Sequence, residues 1–263
     1  MPDLHEYAER YENFRCTRDA DGVLRVTLHT DGGPYKLTTR SHHAWGFLAD
    51  AISRDPANEA VVITGTGDTF CDGADVSDPA FAAFVGTPLG VDGARWNTKR
   101  FLLATYAIEV PVVVAYNGPA LVHLEMFLGA DVVLAADHAT FQDGIHVPTG
   151  NVPAGDVQIV AEAAMGYVRH KYWLLTAQTL SAEAARDAGL VNEVVPRGRL
   201  LDRAYEHARA FVKLPRAVRR FSRVAVHQDM RTRLQEDGPY AYALVGMGLL
   251  QNAAAARAAG ANR

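Results

Sequence analysis

Three short apolar runs limit what this chain can fold into. Ala60-Val61-Val62-Ile63-Thr64, Pro111 to Ala115 and Val132 to Ala136 are brief and rich in β-branched residues, the pattern of strands buried on both faces of a parallel sheet. Parallel neighbours need crossovers, so helices must lie between them. The first crossover is legible. Val23, Leu24, Val26 and Leu28 nearly alternate in a strand that ends at Asp31-Gly32-Gly33-Pro34. Ala44, Phe47, Leu48, Ala51 and Ile52 then recur at helical spacing, and Asp55-Pro56 stops the helix before the next strand. The segment between Ala115 and Val132 has room for one brief helix and a second crossover.

From Asp156 onward helices dominate. Ser181 reads as the N-cap of a helix over 182–188 with Gly189 as its stop, Arg203 to Val212 and Ala217 to Val226 follow, and Ala253 to Ala259 reads as frayed helix. No internal repeat, linker or charge block divides the chain. One α/β domain over residues 1–263 is expected, with a core over about 14–195 and a helical region over about 196–263.

Composition narrows the partners. With 49% hydrophobic residues in 263, the chain can bury a full core, and its 26 basic and 30 acidic residues are mixed, for a net charge of −4. That leaves no basic face for nucleic acid or an anionic membrane. No apolar run approaches the roughly 20 residues that span a bilayer, and Met1 to Arg10 is polar, so the expected location is cytoplasmic. Cys16 and Cys71 are expected to be free thiols.

Two segments directly after strands stand where ligands collect in open α/β sheets. Thr69-Phe70-Cys71-Asp72-Gly73-Ala74-Asp75-Val76 is a small-residue turn that lets backbone amides face a ligand, and Tyr116-Asn117-Gly118-Pro119-Ala120-Leu121-Val122-His123-Leu124-Glu125 follows the next run. His123-x-Glu125 lacks the Pro-Cys-x-x-Cys that completes a deaminase zinc site, and Gly65-Thr66-Gly67 lacks the rest of a nucleotide-binding loop, so no metal and no cofactor are expected. His42 and His43 read as solvated surface. Arg216, Arg219, Arg220 and Arg223, at helical spacing, read as a solvated or intersubunit face, with salt bridges to neighbours or contact with an acidic ligand as the alternative.

The order of Phe70 to Asp75, Pro111 to Gly118, Phe141-Gln142-Asp143-Gly144, Leu174-Leu175-Thr176 with Ser181 to Ala184, and Gly189 to Val195 resembles the crotonase (enoyl-CoA hydratase/isomerase) superfamily from about Phe14 to Val226. The resemblance implies a spiral of ββα turns with a carboxy-terminal helical trimerisation region, in a homotrimer or dimer of trimers. It also implies an oxyanion hole with one donor at the Ala74 amide and the other in the loop holding His123. Glu125 falls on one of the two hydratase glutamates, and the other position is His146. Those two histidines resemble the branch, typified by 6-oxocamphor hydrolase, that cleaves carbon–carbon bonds of β-diketones. Asp156 falls one residue from that branch's aspartate. Its pocket tryptophan is missing near Leu37, and its late glutamate falls near Val245 or Gly246.

The expected function is therefore hydrolysis of a cyclic β-diketone to a keto acid by a retro-Claisen reaction. His146 would be the base, oriented by Asp156, and His123 and Ala74 the oxyanion donors. The alternatives are hydration or isomerisation of an acyl-CoA through Glu125, and a non-catalytic binding protein. The imidazole type suits the first task, because a reference pKa of about 6.5 lets it take a proton from water near neutrality.

Overall fold

The computed structural model describes residues 3–75, 77–78, 80 and 87–261. Val76, the last residue of the first motif, lies outside them, as do the terminal residues Met1, Pro2, Asn262 and Arg263.

In chain order the elements are α1 (Leu4–Tyr7), β1 (Phe14–Arg18), β2 (Val23–Leu28), α2 (Thr39–Arg54), β3 (Ala60–Thr64), α3 (Pro88–Ala107), β4 (Val112–Tyr116), β5 (Val132–Ala136) and β6 (Thr140–Phe141). After these come α4 (Asp156–Met165), α5 (Tyr167–Thr176), β7 (Leu180–Ser181), α6 (Ala182–Ala188), β8 (Glu193–Val195), α7 (Leu200–Val212), α8 (Arg216–Val226) and α9 (Gln228–Ala261). Short 3₁₀ turns occupy Leu124–Phe127, Val147–Thr149 and Arg197–Arg199.

One six-stranded sheet runs β1-β2-β3-β4-β5-β8, antiparallel only between β1 and β2. The three apolar runs are its centre. Alternation along them sends side chains to two cores. Val61, Ile63, Val112 and Val114 face α2 and α3 residues such as Trp45, Leu48 and Phe101. Ala60, Val62, Val113, Ala115 and Leu134 face the Leu200, Ala204 and Ala208 stripe of α7. Both faces are covered, which is why these strands carry no polar alternation.

A second, thinner ladder stacks the segments that leave the main strands. Isolated parallel bridges join Leu37 to Ala74, Cys71 to Ala120 and Ala120 to Phe141. Each turn of chain thus runs through the main sheet, then this ladder, then a helix or 3₁₀ turn, which is the expected spiral of the crotonase fold. Asn117 braces it. Its Oδ1 accepts from the Gly65 amide at 2.9 Å, and its Nδ2 donates to the Gly67 and Thr69 carbonyls at 2.9 and 3.2 Å. Gly118 is required beside it, because any Cβ there would be driven into the Asp68 carbonyl.

Several sequence expectations need correction. The buried stripe of α2 is Ser41, His42, Trp45, Leu48, Ala49, Ala51 and Ile52, turned so that Phe47 is exposed. The alanine-rich tail is helical as expected, and it is the end of the 34-residue α9, which packs on α3 and α4. The arginine cluster is not a solvated face. Arg223 is buried and donates to the carbonyls of Ile108, Thr105 and Gly129 at 2.6, 2.6 and 3.0 Å, and Arg219 is buried against the Leu214 carbonyl. Arg216 and Arg220 pair with Glu59 and Glu109. Cys16 and Cys71 are free and buried, and burial pushes their thiols up to about 12 and about 11.

Candidate active site

The second ladder ends at a cavity of about 460 Å³. Its spiral wall includes Leu37, Ala74, His123, Ile145 and His146, with Asp156 from the first turn of α4. The opposite wall is α9, through Tyr242, Val245, Leu249, Asn252, Ala253 and Ala256. The chain therefore closes its own cavity with its last helix. Leu37 and Val245 line it, near the places where the resemblance leads to a tryptophan and a glutamate.

Ala74 is held by its neighbours. The Leu37 amide donates to the Gly73 carbonyl and the Asp75 amide to the Leu37 carbonyl, both at 2.8 Å. Neither bond uses the Ala74 amide. Ala74 is among the residues that line the cavity.

His123 adopts left-handed backbone angles, φ 49° and ψ 38°, a region few non-glycine residues enter and in which histidine, asparagine and aspartate are enriched. The surroundings impose it: Tyr116 donates its hydroxyl proton to the Leu124 carbonyl at 2.7 Å, and Thr105 does the same to Met126 at 2.6 Å. The turn places Nδ1 of His123 2.6 Å from Oε1 of Glu125 and 4.0 Å from Oδ2 of Asp156. Glu125 and Asp156 are both buried. Burial, followed by the charge of Asp143, raises the Glu125 carboxyl to about 7, and burial with the charge of Glu125 lifts Asp156 well above the carboxylate range. Burial lowers the His123 imidazole despite the nearby carboxylates. Oδ2 of Asp156 has no hydrogen-bond partner.

The carboxylate at His146 is not Asp156. Nδ1 of His146 lies 2.8 and 3.0 Å from the two oxygens of Asp143, three residues upstream and equally buried. Burial pulls this imidazole down, but the hydrogen bond and charge of Asp143, with Glu125 and Asp156 beyond, outweigh it, so its pKa stands above the ordinary value. With Nδ1 turned to a carboxylate, Nε2 is the nitrogen left to accept a proton. Asp143 is the residue the sequence reading missed as a partner, although it lies within the Phe141-Gln142-Asp143-Gly144 motif. Asp156 instead joins the His123–Glu125 side of the site.

His42 is a second correction. It is buried, lines the cavity, stacks on Phe101 with ring centroids 4.1 Å apart, and meets the His123 ring edge-on at 5.6 Å. Burial, with His123 and His43 nearby, holds its pKa well below the usual value. His43 is only half-buried. The signal was present in the sequence, since residue 42 precedes Trp45, Ala49 and Ile52 at helical spacing.

Among the described residues one group has the donors for a metal ion: His123, Glu125 and Asp156, whose ligand atoms lie within 4.8 Å of one another. A proton shared by the two carboxyls meets the same electrostatic need, because two adjacent buried carboxylates cannot both stay ionised without compensation.

A spiral scaffold that gathers His42, His123, His146 and Asp156 around one apolar cavity is that of a crotonase-superfamily enzyme. Residues 47–242 match the enoyl-CoA hydratase/isomerase family, and the chain belongs to that family. The β-diketone hydrolase of the cyanobacterium Anabaena sp., solved bound to (S)-3-oxocyclohexyl acetic acid, is 36% identical with a TM-score of 0.89, covering 94% of this chain and 97% of its own. A probable enoyl-CoA hydratase of Mycobacterium bovis is 28% identical over 86% of this chain and 85% of its own length. The (7aS)-7a-methyl-1,5-dioxo-2,3,5,6,7,7a-hexahydro-1H-indene-carboxyl-CoA hydrolase of Rhodococcus jostii is 29% identical over 87% of each. No helix among the described residues is long and apolar enough to cross a membrane.

Proposed function

We propose that this protein is a hydrolase that cleaves the carbon–carbon bond between the carbonyls of a cyclic β-diketone. The observation that carries the reading is the buried His146–Asp143 pair, an imidazole base with a fixed tautomer facing an apolar cavity. Likeness to the Anabaena enzyme supports it.

His146 Nε2 takes a proton from water as the oxygen attacks one carbonyl of the non-enolised diketone. The alkoxide is met by the Ala74 amide and the His123 ring, donors that matter most as charge develops. Collapse breaks the carbon–carbon bond and leaves a carboxylic acid and an enolate. The proton on His146 then passes to the enolate carbon, giving a keto acid, and the water is fully accounted for. The leucine, valine and alanine walls suit a hydrocarbon ring. The protein assembles as a trimer or pair of trimers, a reading supported by the exposed apolar residues Tyr167, Val168, Tyr172 and Leu175 on α5.

The competing reading, hydration of an acyl-CoA through Glu125, is favoured by the Mycobacterium bovis relative. Incubating the protein separately with a bicyclic 1,3-diketone, a monocyclic one and crotonyl-CoA, and following keto acid and hydroxyacyl-CoA by mass spectrometry, decides between them. Keto acid formation is expected. Hydration of crotonyl-CoA with no diketone turnover overturns the proposal.

A further inference from the structure

The loop that carries His146 closes on itself. The backbone amides of Thr149 and Asn151 both donate to the His146 carbonyl, at 3.0 and 2.8 Å, and Gly150 makes the turn between them with φ 75°. These bonds hold Asn151 at a set position relative to the base. Its side chain lines the cavity, in a niche that α9 leaves for it, because a Cβ at Gly248 would be driven into its Oδ1.

Neighbouring polar groups of the cavity wall are engaged within the protein. Nδ2 of Asn252 donates to the Gly150 carbonyl at 3.2 Å, and the Thr149 hydroxyl donates to the Ile145 carbonyl at 2.6 Å. Asn151 differs. Its Oδ1 is buried without a hydrogen-bond partner, and no described residue bonds its Nδ2. The Thr39 hydroxyl also lacks a partner, but its one oxygen is buried in the wall. With the Asn151 oxygen in the Gly248 niche, its NH2 group is the end left to the cavity. A polar side chain held in place and left unbonded is a cost to the fold, and two amide N–H groups suit a ligand oxygen.

We infer that Asn151 is the donor for the diketone carbonyl that is not attacked, and that this second hold fixes the orientation of the ring about the carbonyl that is. The inference rests on the diketone-hydrolase reading. In that reaction His146, the Ala74 amide and His123 serve the attacked carbonyl. As the carbon–carbon bond breaks, its electron pair passes to the α-carbon and is shared with the second carbonyl oxygen, which becomes the enolate oxygen. A donor at that oxygen strengthens as the charge grows, and the proton on His146 then goes to the α-carbon. Asparagine suits the place because it donates without titrating. Since Asn151 and His146 share one closed turn, the ring is gripped at one carbonyl while water is delivered to the other.

Asn151→Leu keeps the bulk without a donor or a charge, and Asn151→Asp keeps the shape but replaces the NH2 group with an oxygen. Both are expected to lower kcat/KM for a bicyclic 1,3-diketone by at least about tenfold, through kcat as well as KM, in line with one lost donor to developing charge. With a prochiral bicyclic diketone, the excess of one hand of the keto acid should fall in both variants. If Asn151 only packs, Asn151→Leu keeps both the rate and the product hand, and the inference is overturned. Infrared spectra of an unsymmetrical diketone, carbon-13 labelled at each carbonyl in turn and bound to the His146→Ala protein, give a reading that needs no turnover. Adding Asn151→Leu should return the band of one carbonyl toward its position in hydrocarbon solvent and leave the other in place. Bands that both stay put overturn the inference. Absence of diketone turnover by the unmutated protein overturns the functional reading instead, and the infrared bands still decide whether Asn151 grips a carbonyl.

Discussion

Two clusters of buried charge in this molecule are built to opposite ends. Around Asp131, every charge is met: the carboxylate accepts from the Val112 amide at 2.7 Å and pairs with Arg223 and His227, while Arg223 also ties down three carbonyls. Burial pushes Asp131 up, but His227, Arg223 and the amide outweigh it and hold it below its usual range. Around Glu125 and Asp156 no arginine or lysine among the described residues answers the carboxyls, Oδ2 of Asp156 has no partner, and burial raises both groups. The first cluster uses charge to join α8 to the loops around β4 and β5. The second stores protons beside a cavity, at a cost in stability that a purely structural site would not carry.

The largest effect expected is at the base. His146→Ala should lower kcat for a diketone by about 10² to 10⁴, the range for a lost general base, and should lower Tm as well, because it leaves Asp143 buried without its partner. Turnover at the unmutated rate would remove His146 from that role. Arg223→Ala should act on stability alone. Deleting one partner of a buried pair costs about 3–5 kcal/mol, and for a domain of this size that is a drop in Tm on the order of 10 °C. An unchanged Tm would mean that the Asp131 cluster is not the clamp its geometry describes.

A smaller effect tests the storage of protons. The Glu125 carboxyl is raised from 4.5 to about 7 by folding, so its contribution is fully present below the unfolded value and is lost as pH rises through the folded one. Above about 7 the buried charge opposes folding. Glu125→Gln removes that charge and should stabilise the protein by up to about 3 kcal/mol near pH 8, falling toward nothing near pH 4.5. Chemical denaturation at the two pH values reads the difference. A stability gain independent of pH would point to packing rather than to charge.

The contrast also explains what the sequence made legible. The strands β3, β4 and β5 were readable because burial on both faces leaves one kind of residue, and the helix over 182–188 because Ser181 and Gly189 cap it. The Ala74, His123 and His146 positions were readable from motif order. A crossover helix was expected between β3 and β4, but its bounds were not legible, since Gly90 and Gly93 interrupt the first turns of α3 and exposed Leu89 and Trp96 blur its apolar stripe. The pairing of carboxyls with imidazoles was not readable either. Asp143 and Asp156 are both close to His146 in sequence, and only the fold of the loop from Gly144 to Gly155 decides that Asp143 meets His146 while Asp156 turns toward His123. The same holds for Arg223, whose helical spacing with three other arginines resembles a surface until α8 lies against the Ile108 and Gly129 carbonyls.

That assignment of carboxyls supplies the finest test. In the unmutated protein the kcat/KM profile should fall on the acid side with a pKa above the ordinary histidine value, because His146 must lose its proton to act and Asp143 holds the protonated form. Asp143→Asn removes the hydrogen bond and the charge that raise the imidazole and leaves burial, which lowers it, so the acid limb should move to lower pH. The rate should also fall, because an amide sets the ring's tautomer less firmly than a carboxylate does. Asp156→Asn sharpens the comparison. Asp156 influences His146 only through its more distant charge, the last of the causes acting on that imidazole, so its removal should shift the acid limb less than Asp143→Asn does. If the two variants shifted the limb equally, the orienting role would be shared between the aspartates. If only Asp156→Asn moved it, the aspartate expected from the sequence would be the partner of His146 during turnover, and the contact with Asp143 would belong to the resting enzyme alone.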